Sequence, residues 1–161
     1  MFPNESLESG KAFVAMDRLL DSARTGPVLL ARHAVAEAVV DAIHFDESRG
    51  TYELHAFVIM SNHVHLLITP FVDPAKVMRC LKSYSAKRAN EILGRTGLPF
   101  WQEESFDRLV RDRDEFEKAR RYIEENPVNA GLVTVASDFP WSSAGQPGGR
   151  LRTGGPPHSW G

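Results

Sequence analysis

Two neighbouring stretches, Tyr52 to Ile59 and Val64 to Thr69, constrain most strongly what this chain can fold into. Both are dense in β-branched and aromatic residues, with Met60-Ser61-Asn62 between them. That composition and so short an interruption predict an antiparallel hairpin. Around it the spacing predicts helices. Phe13, Met16, Leu19 and Leu20 recur at helical intervals up to about Ala23, after which Gly26-Pro27 breaks the chain. A second helix is expected from about His33 to Ile43, where Val35, Val39 and Ile43 stand four apart. Asp73-Pro74 opens a third, running to about Leu93, with Pro74 near its first position. Gly94 to Pro99 reads as a loop and Phe106 to Val110 as an extended segment. Asp112 with Glu115 three residues on resembles a capping box, opening a helix to about Glu125, where Pro127 is expected to stop it.

Composition narrows the class. The chain has 161 residues, 42% hydrophobic and 25% charged, the balance of one soluble globular domain. No apolar run approaches the roughly 20 residues that cross a bilayer, and Met1 to Lys11 lacks the apolar core of a signal peptide. A single cysteine, Cys80, excludes an internal disulfide and suits a reducing cytoplasm. The domain is expected over residues 1–144, with 145–161 a flexible tail in which nine of 17 residues are Gly or Pro. Net charge is −2, which argues against general duplex binding. Between Pro74 and Leu93, however, Lys76, Arg79, Lys82, Lys87 and Arg88 face a single acid, Glu91. A nucleic-acid site would be a patch.

Three constellations can carry chemistry. In His63-Val64-His65, residues two apart on a strand share a face, about 6.5–7 Å apart along the backbone, so two imidazoles can converge on one ion. On spacing alone a pair of hydrogen-bonded sheet histidines is the commoner outcome, but the otherwise apolar stretch demands partners for both rings. Tyr122 and Asn126 stand at i and i+4 on one helix face, with Lys118 a turn earlier. Phe116, Ala119 and Ile123 form a separate apolar row expected to pack on the sheet. A tyrosine beside such a row is usually structural, and an Asn before Pro is usually a terminator. In the helix from Pro74, Val77, Leu81 and Tyr84 read as the buried stripe. Lys76, Arg79, Ser83 and Lys87 form the polar one, either a solvated face or a track for a strand. No Walker-type loop, dinucleotide-binding glycine pattern, zinc knuckle or nucleophile-elbow serine is present.

Together these blocks resemble a known family. Leu54 to Ile68, containing Met60-Ser61-Asn62-His63-Val64-His65, is similar to the signature of the single-tyrosine HUH transposases (IS200-like). Phe100 to Val110, opening on Phe100-Trp101-Gln102, resembles a block of their REP-associated branch. So do Tyr122-Ile123-Glu124-Glu125-Asn126-Pro127 and the closing Trp141-Ser142-Ser143-Ala144. The resemblance implies an α+β fold, a ferredoxin-like antiparallel sheet with helices on one face. It also implies Tyr122 as a nucleophile and a divalent metal, Mg²⁺ or Mn²⁺, held by His63, His65 and Asn126. Imidazoles alone would suit zinc, whereas amide and phosphate oxygens favour the harder ions. The implied substrate is single-stranded or hairpin DNA. It would be cut and rejoined through a 5′-phosphotyrosine link, with Lys76, Arg79, Lys82, Lys87, Trp101, Gln102 and Lys118 contacting it. A cytoplasmic, nucleoid-associated location follows. The family begins with a strand inside the sheet, and no alternation precedes Phe13, so that first strand is expected to be missing. An open edge beside the His63 strand would then favour a homodimer. Two other readings fit the residues: a hairpin-binding remnant that cannot cut, and a metal-dependent hydrolase using water.

Overall fold

The computed structural model describes residues 12–18, 29–101 and 106–145. In chain order these form β1 (Phe13–Arg18), α1 (His33–Ser48), β2 (Tyr52–Ile59), β3 (His63–Pro70), α2 (Pro74–Leu93), β4 (Phe106–Leu109) and α3 (Arg113–Asn129). The four strands make one sheet in the order β2-β3-β1-β4, every neighbouring pair antiparallel. Two split β-α-β units interleaved in this way are the ferredoxin-like arrangement.

The missing strand is therefore present, and this corrects the reading of Phe13 to Ala23 as a helix. Phe13 to Arg18 pairs with β3 from Phe13 opposite Ile68 to Arg18 opposite His63, and with β4 on its other side. The stretch misleads because Phe13-Val14-Ala15-Met16 is a continuous apolar run rather than an alternating one. A short run of that kind does not separate strand from helix by its period, and the pairing with β3 and β4 decides it. The remainder of the expected helix, Leu19 to Ala23, lies outside the described residues. With β1 in place, the inner edge of β3 is paired, and the ground for expecting a homodimer through that edge disappears.

Helices cover both faces, which amends the expectation of a single helical face. The two crossover helices share one side. There Val35, Val39 and Ile43 of α1 and Val77, Met78 and Leu81 of α2 pack with Leu54, Phe57, Ile59, Val64, Leu66 and Ile68. On the other side Phe116, Ala119 and Ile123 of α3 pack with Ala56, Val58, Met60 and Leu67. The sidedness of β2 depends on a bulge between Leu54 and Ala56. One extra residue, His55, reverses the alternation, so Tyr52 and Leu54 face α1 and so do Phe57 and Ile59, one step out of phase with them. His55 itself hydrogen-bonds through Nε2 to Thr69 Oγ1 at 2.7 Å and meets the Phe116 ring edge-on at 5.0 Å.

The helix ends follow from their caps. Asp73 Oδ1 accepts from Ala75 N at 3.2 Å, Pro74 takes the first turn of α2, and Gly94 closes it at φ 71°. Asp112 Oδ1 accepts from Glu115 N at 2.9 Å, while Glu115 Oε1 reaches back to Arg111 N at 2.8 Å, a reciprocal cap shifted by one residue. Two boundaries differ from expectation. The second helix runs on from Ile43 to Ser48, and α3 passes through Pro127 to Asn129. Proline there forfeits one backbone bond near an end, a small loss, and its ring is buried. Tyr84, expected in the buried stripe of α2, is exposed and stacks on Phe45 at 5.8 Å; Ser85 and Ala89 take the inner positions. No helix among the described residues is long and apolar enough to cross a membrane.

Between α1 and α2, half-buried Asp41 has its pKa pushed up from 3.8 to about 6, by burial first and by Glu37 second, with Arg88 opposing. A raised carboxyl pKa favours the protonated folded state. The unfolded chain therefore ionises first, and stability is lost as pH climbs from about 4 through about 6. Asp41→Asn should remove that penalty. It should gain about 1 kcal/mol at pH 8, after allowing for solvent screening of a half-exposed group, and close to nothing at pH 3.5. Urea unfolding at the two pH values measures it, and an equal effect at both would reject the assignment.

Candidate metal and tyrosine site

The site begins with the pleat of β3. Val64, Leu66 and Ile68 point into the α1–α2 layer, which leaves His63, His65 and Leu67 on the α3 side. His65 lies on an inner strand, opposite Met16 of β1 and Val58 of β2, and is only 6% exposed. His63 is one step nearer the hairpin turn, where Met60 N donates to His63 O at 2.8 Å. The two imidazoles meet edge to face, with centroids 4.9 Å apart.

That turn also orients His63. Its Nδ1 lies 2.8 Å from Asn62 Oδ1, and because an amide oxygen can only accept, the ring must carry its proton on Nδ1. The lone pair is then on Nε2, the nitrogen a metal would take. The turn is anchored from outside by Leu30 N, which donates to Ser61 O at 3.0 Å.

Tyr122 arrives from α3. Phe116, Ala119 and Ile123 seat the helix, and with about 100° per residue Tyr122 falls on its flank. Its ring meets His65 edge to face at 5.5 Å, while the side chain remains 57% exposed. A tyrosine that was simply part of the core would be enclosed. This one has one side against a buried imidazole and the rest open to an incoming molecule.

The remaining candidates divide. Asn126 is half-buried one turn beyond Tyr122 on the same face. Lys118, one turn before, is exposed and paired with Asp114 at 3.2 Å. An exposed i,i+4 pair of this kind is worth well under ~1 kcal/mol, so the ammonium can be redirected to a phosphate at little cost. Lys76, Arg79 and Lys87 are exposed and Lys82 half-buried on α2, which packs on the opposite side of the sheet from Tyr122. The fold does not bring that stripe to the histidines. Trp101 is tied to α2, its Nε1 donating to Ser85 Oγ at 3.0 Å, with its ring half-buried against the core. Gln102 lies outside the described residues.

Among the described residues no third His, Cys, Asp or Glu joins His63 and His65 in a metal-sized group. Two imidazole nitrogens and one amide oxygen from Asn126 would be a sparse protein donor set. It fits an ion that retains positions for substrate phosphate and water, as Mg²⁺ and Mn²⁺ do. Asn62 and Ser143 were the residues that sequence reasoning left without a role. Asn62 was legible in principle, since an amide one residue before a candidate ligand in a tight turn can bond its ring.

The family model described as "Transposase IS200 like" matches residues 28–126, a stretch that includes His63, His65, Tyr122 and Asn126. Among solved structures, that of a REP-associated tyrosine transposase bound to a REP hairpin is similar at a TM-score of 0.63 and 22% identity. The likeness covers 83% of this chain and 76% of that one. No curated protein sequence matches.

Asn62→Ala should release the His63 tautomer. Long-range ¹⁵N–¹H spectra of the imidazole, with the proton on Nδ1 in the unaltered protein, should show a mixture containing Nε2–H in the variant. An unchanged spectrum would mean that Asn62 does not orient the ring.

Proposed function

We propose, from the premise that this chain belongs to the family of IS200-like transposases, that it cuts and rejoins single-stranded DNA beside hairpins, with Tyr122 as the nucleophile. The observation that carries the reading is the edge-to-face contact of Tyr122 with His65 at 5.5 Å, made between two separate elements. A phenol has an ordinary pKa near 10, so attack at neutral pH needs help at both the nucleophile and the phosphate. His63, His65 and Asn126 are the residues that would hold a divalent ion. Such an ion, when bound, would polarise the scissile phosphate and stabilise the departing oxygen. The chain's own residues do the rest. Asn62 fixes the ring of His63, the sheet fixes His65, and the seated face of α3 presents the Tyr122 hydroxyl. Attack by that oxygen breaks the phosphodiester. It leaves the phosphate joined to Tyr122 on the 5′ side and a free 3′-hydroxyl. Because the link conserves the bond energy, the 3′-hydroxyl of the same or another strand can reverse the step without ATP.

Hairpin DNA as the partner is supported by the family and by the similar transposase, which was solved bound to a REP hairpin. The α2 stripe lies across the sheet from Tyr122, so it would hold a part of the hairpin remote from the cut, while Lys118 flanks the cut strand. A nucleoid-associated, cytoplasmic protein follows from that partner. The remnant reading shares the same binding surface but makes no covalent product, and the hydrolase reading gives cleavage without Tyr122.

Labelled single-stranded hairpin DNA with Mn²⁺, resolved on a denaturing gel, separates the three. A covalent adduct is expected with the unaltered protein and none with Tyr122→Phe, whose rate should fall by at least about 10⁴-fold, or when the metal is chelated. Binding without adduct favours the remnant, and cleavage surviving Tyr122→Phe favours the hydrolase.

A second measurement addresses α2. Lys82→Ala with Lys87→Ala should weaken hairpin binding and lower the slope of log K against log salt by roughly 1 to 2. An unaltered slope would remove α2 from the interface.

A further inference from the structure

The segment after α3 ends on the outer edge of β2, and its contacts there differ from ordinary packing. Ile59 N donates to Trp141 O at 2.8 Å, Val58 bridges Ser142, and Phe57 N donates to Ser143 Oγ at 3.1 Å. A side-chain hydroxyl thus takes a place on an edge strand that a backbone carbonyl would normally fill. Ser143 is 1% exposed, and its hydroxyl has one proton. That proton goes to Glu124 Oε2 at 2.8 Å, the shorter and charge-assisted partner compared with Phe57 O at 3.4 Å. The other oxygen of Glu124 accepts from Arg120 Nη1 at 3.2 Å, and Arg120 also grips Glu117 at 3.0 Å. The chain of bonds runs from the backbone of β2 through one buried hydroxyl into the middle of α3.

Its position on the helix gives it a consequence. Taking Ile123 as the residue aimed at the sheet, Tyr122 lies about 100° to one side and Glu124 about 100° to the other. The helix rests Phe116, Ala119 and Ile123 on the apolar side chains of Ala56, Val58, Met60 and Leu67. Apolar contact of this kind resists separation but is non-directional and resists rolling weakly. A directional bond on the Glu124 flank opposes a roll that would swing Tyr122, on the opposite flank, away from His65.

We infer that Ser143, acting through Glu124, is a positioning residue that sets the roll of α3 and so holds Tyr122 against His65. The inference rests on the reading of Tyr122 and His65 as catalytic partners, and the measurement that decides it is made without DNA or metal.

In uniformly labelled protein at pH 8, the Tyr122 ring should displace the His65 Hε1 resonance, and Tyr122→Ala defines the full displacement. Ser143→Ala and Glu124→Ala should each move the signal most of the way to the Tyr122→Ala position. The double variant should move it no further than either single change, because the two residues form one tether. A role confined to stability would lower Tm and leave the His65 signal in place. Should Ser143→Ala fail to fold, Glu124→Ala, altered on the more exposed side of the bond, decides alone. In the adduct assay both variants should slow covalent attachment about 10-fold or more at saturating hairpin, with hairpin affinity within twofold. A His65 signal that stays put in a folded variant, or effects that add in the double variant, would overturn the inference. If the unaltered protein forms no adduct but the signal moves as described, the proposed reaction fails and the tether stands.

Discussion

The inner position of β3 is the constraint on which the rest of this structure depends. Paired along both sides, by β2 and by β1, it has almost no freedom to slip. A shift of one residue would turn Val64, Leu66 and Ile68 out of the α1–α2 core and His63 and His65 into it. That exchange would replace three fully buried aliphatic side chains, each worth roughly 1.5–3 kcal/mol, with polar rings lacking a place to bond. The register that buries the aliphatic side is thus the one that presents both histidines to the other. Core formation and site formation are the same event.

The two faces of the sheet are used differently. The α1–α2 face is broad and packed with large side chains, and it supplies most of the apolar burial. The α3 face is narrower and carries both histidines near the seat of a single amphipathic helix. That asymmetry explains why His65 is enclosed while Tyr122 is open. The arrangement suits the proposed roles, in which a group that would hold an ion with constant geometry sits on a strand fixed on both sides and a group that would reach a polymer stays accessible. Lys118, exposed one turn before Tyr122, shares the open side.

What the sequence made legible follows the same division. The hairpin, α2 with its Asp73 and Gly94 boundaries, and the Asp112 cap each rest on local chemistry and were readable residue by residue. So was the seating row Phe116, Ala119 and Ile123, whose spacing is intrinsic to one helix. The strand from Phe13 was not, since a short continuous apolar run carries no period, and only its partners β3 and β4 decide between helix and strand. The bulge at His55 was hidden for a similar reason: it exists only as a mismatch between β2 and β3. Pro127 misled because a rule about helix interiors was applied two residues from an end. The Tyr122–His65 contact was accessible only through the resemblance, because nothing in either segment refers to the other. The opposite placement of the α2 stripe is a matter of layers, which charge counting along a chain does not record.

The weakest coordinate of such a design is neither strand register nor helix formation but the angle of the helix about its own axis. Register is enforced by every backbone bond of β3, and α3 has its cap and seating row. Roll, by contrast, is opposed chiefly by non-directional apolar contacts with Ala56, Val58, Met60 and Leu67. A roll displaces the Tyr122 hydroxyl more than any atom near the axis, because that oxygen stands well out from it. A fold that joins a strand-borne pair of imidazoles to a helix-borne phenol therefore needs a directional restraint on the far flank of that helix. The restraint must come from something fixed to the sheet itself. The segment from Trp141 to Ser143 is bonded to the outer edge of β2 and supplies such a point, which gives the last described part of the chain a reason to cross back to the sheet after α3 has ended.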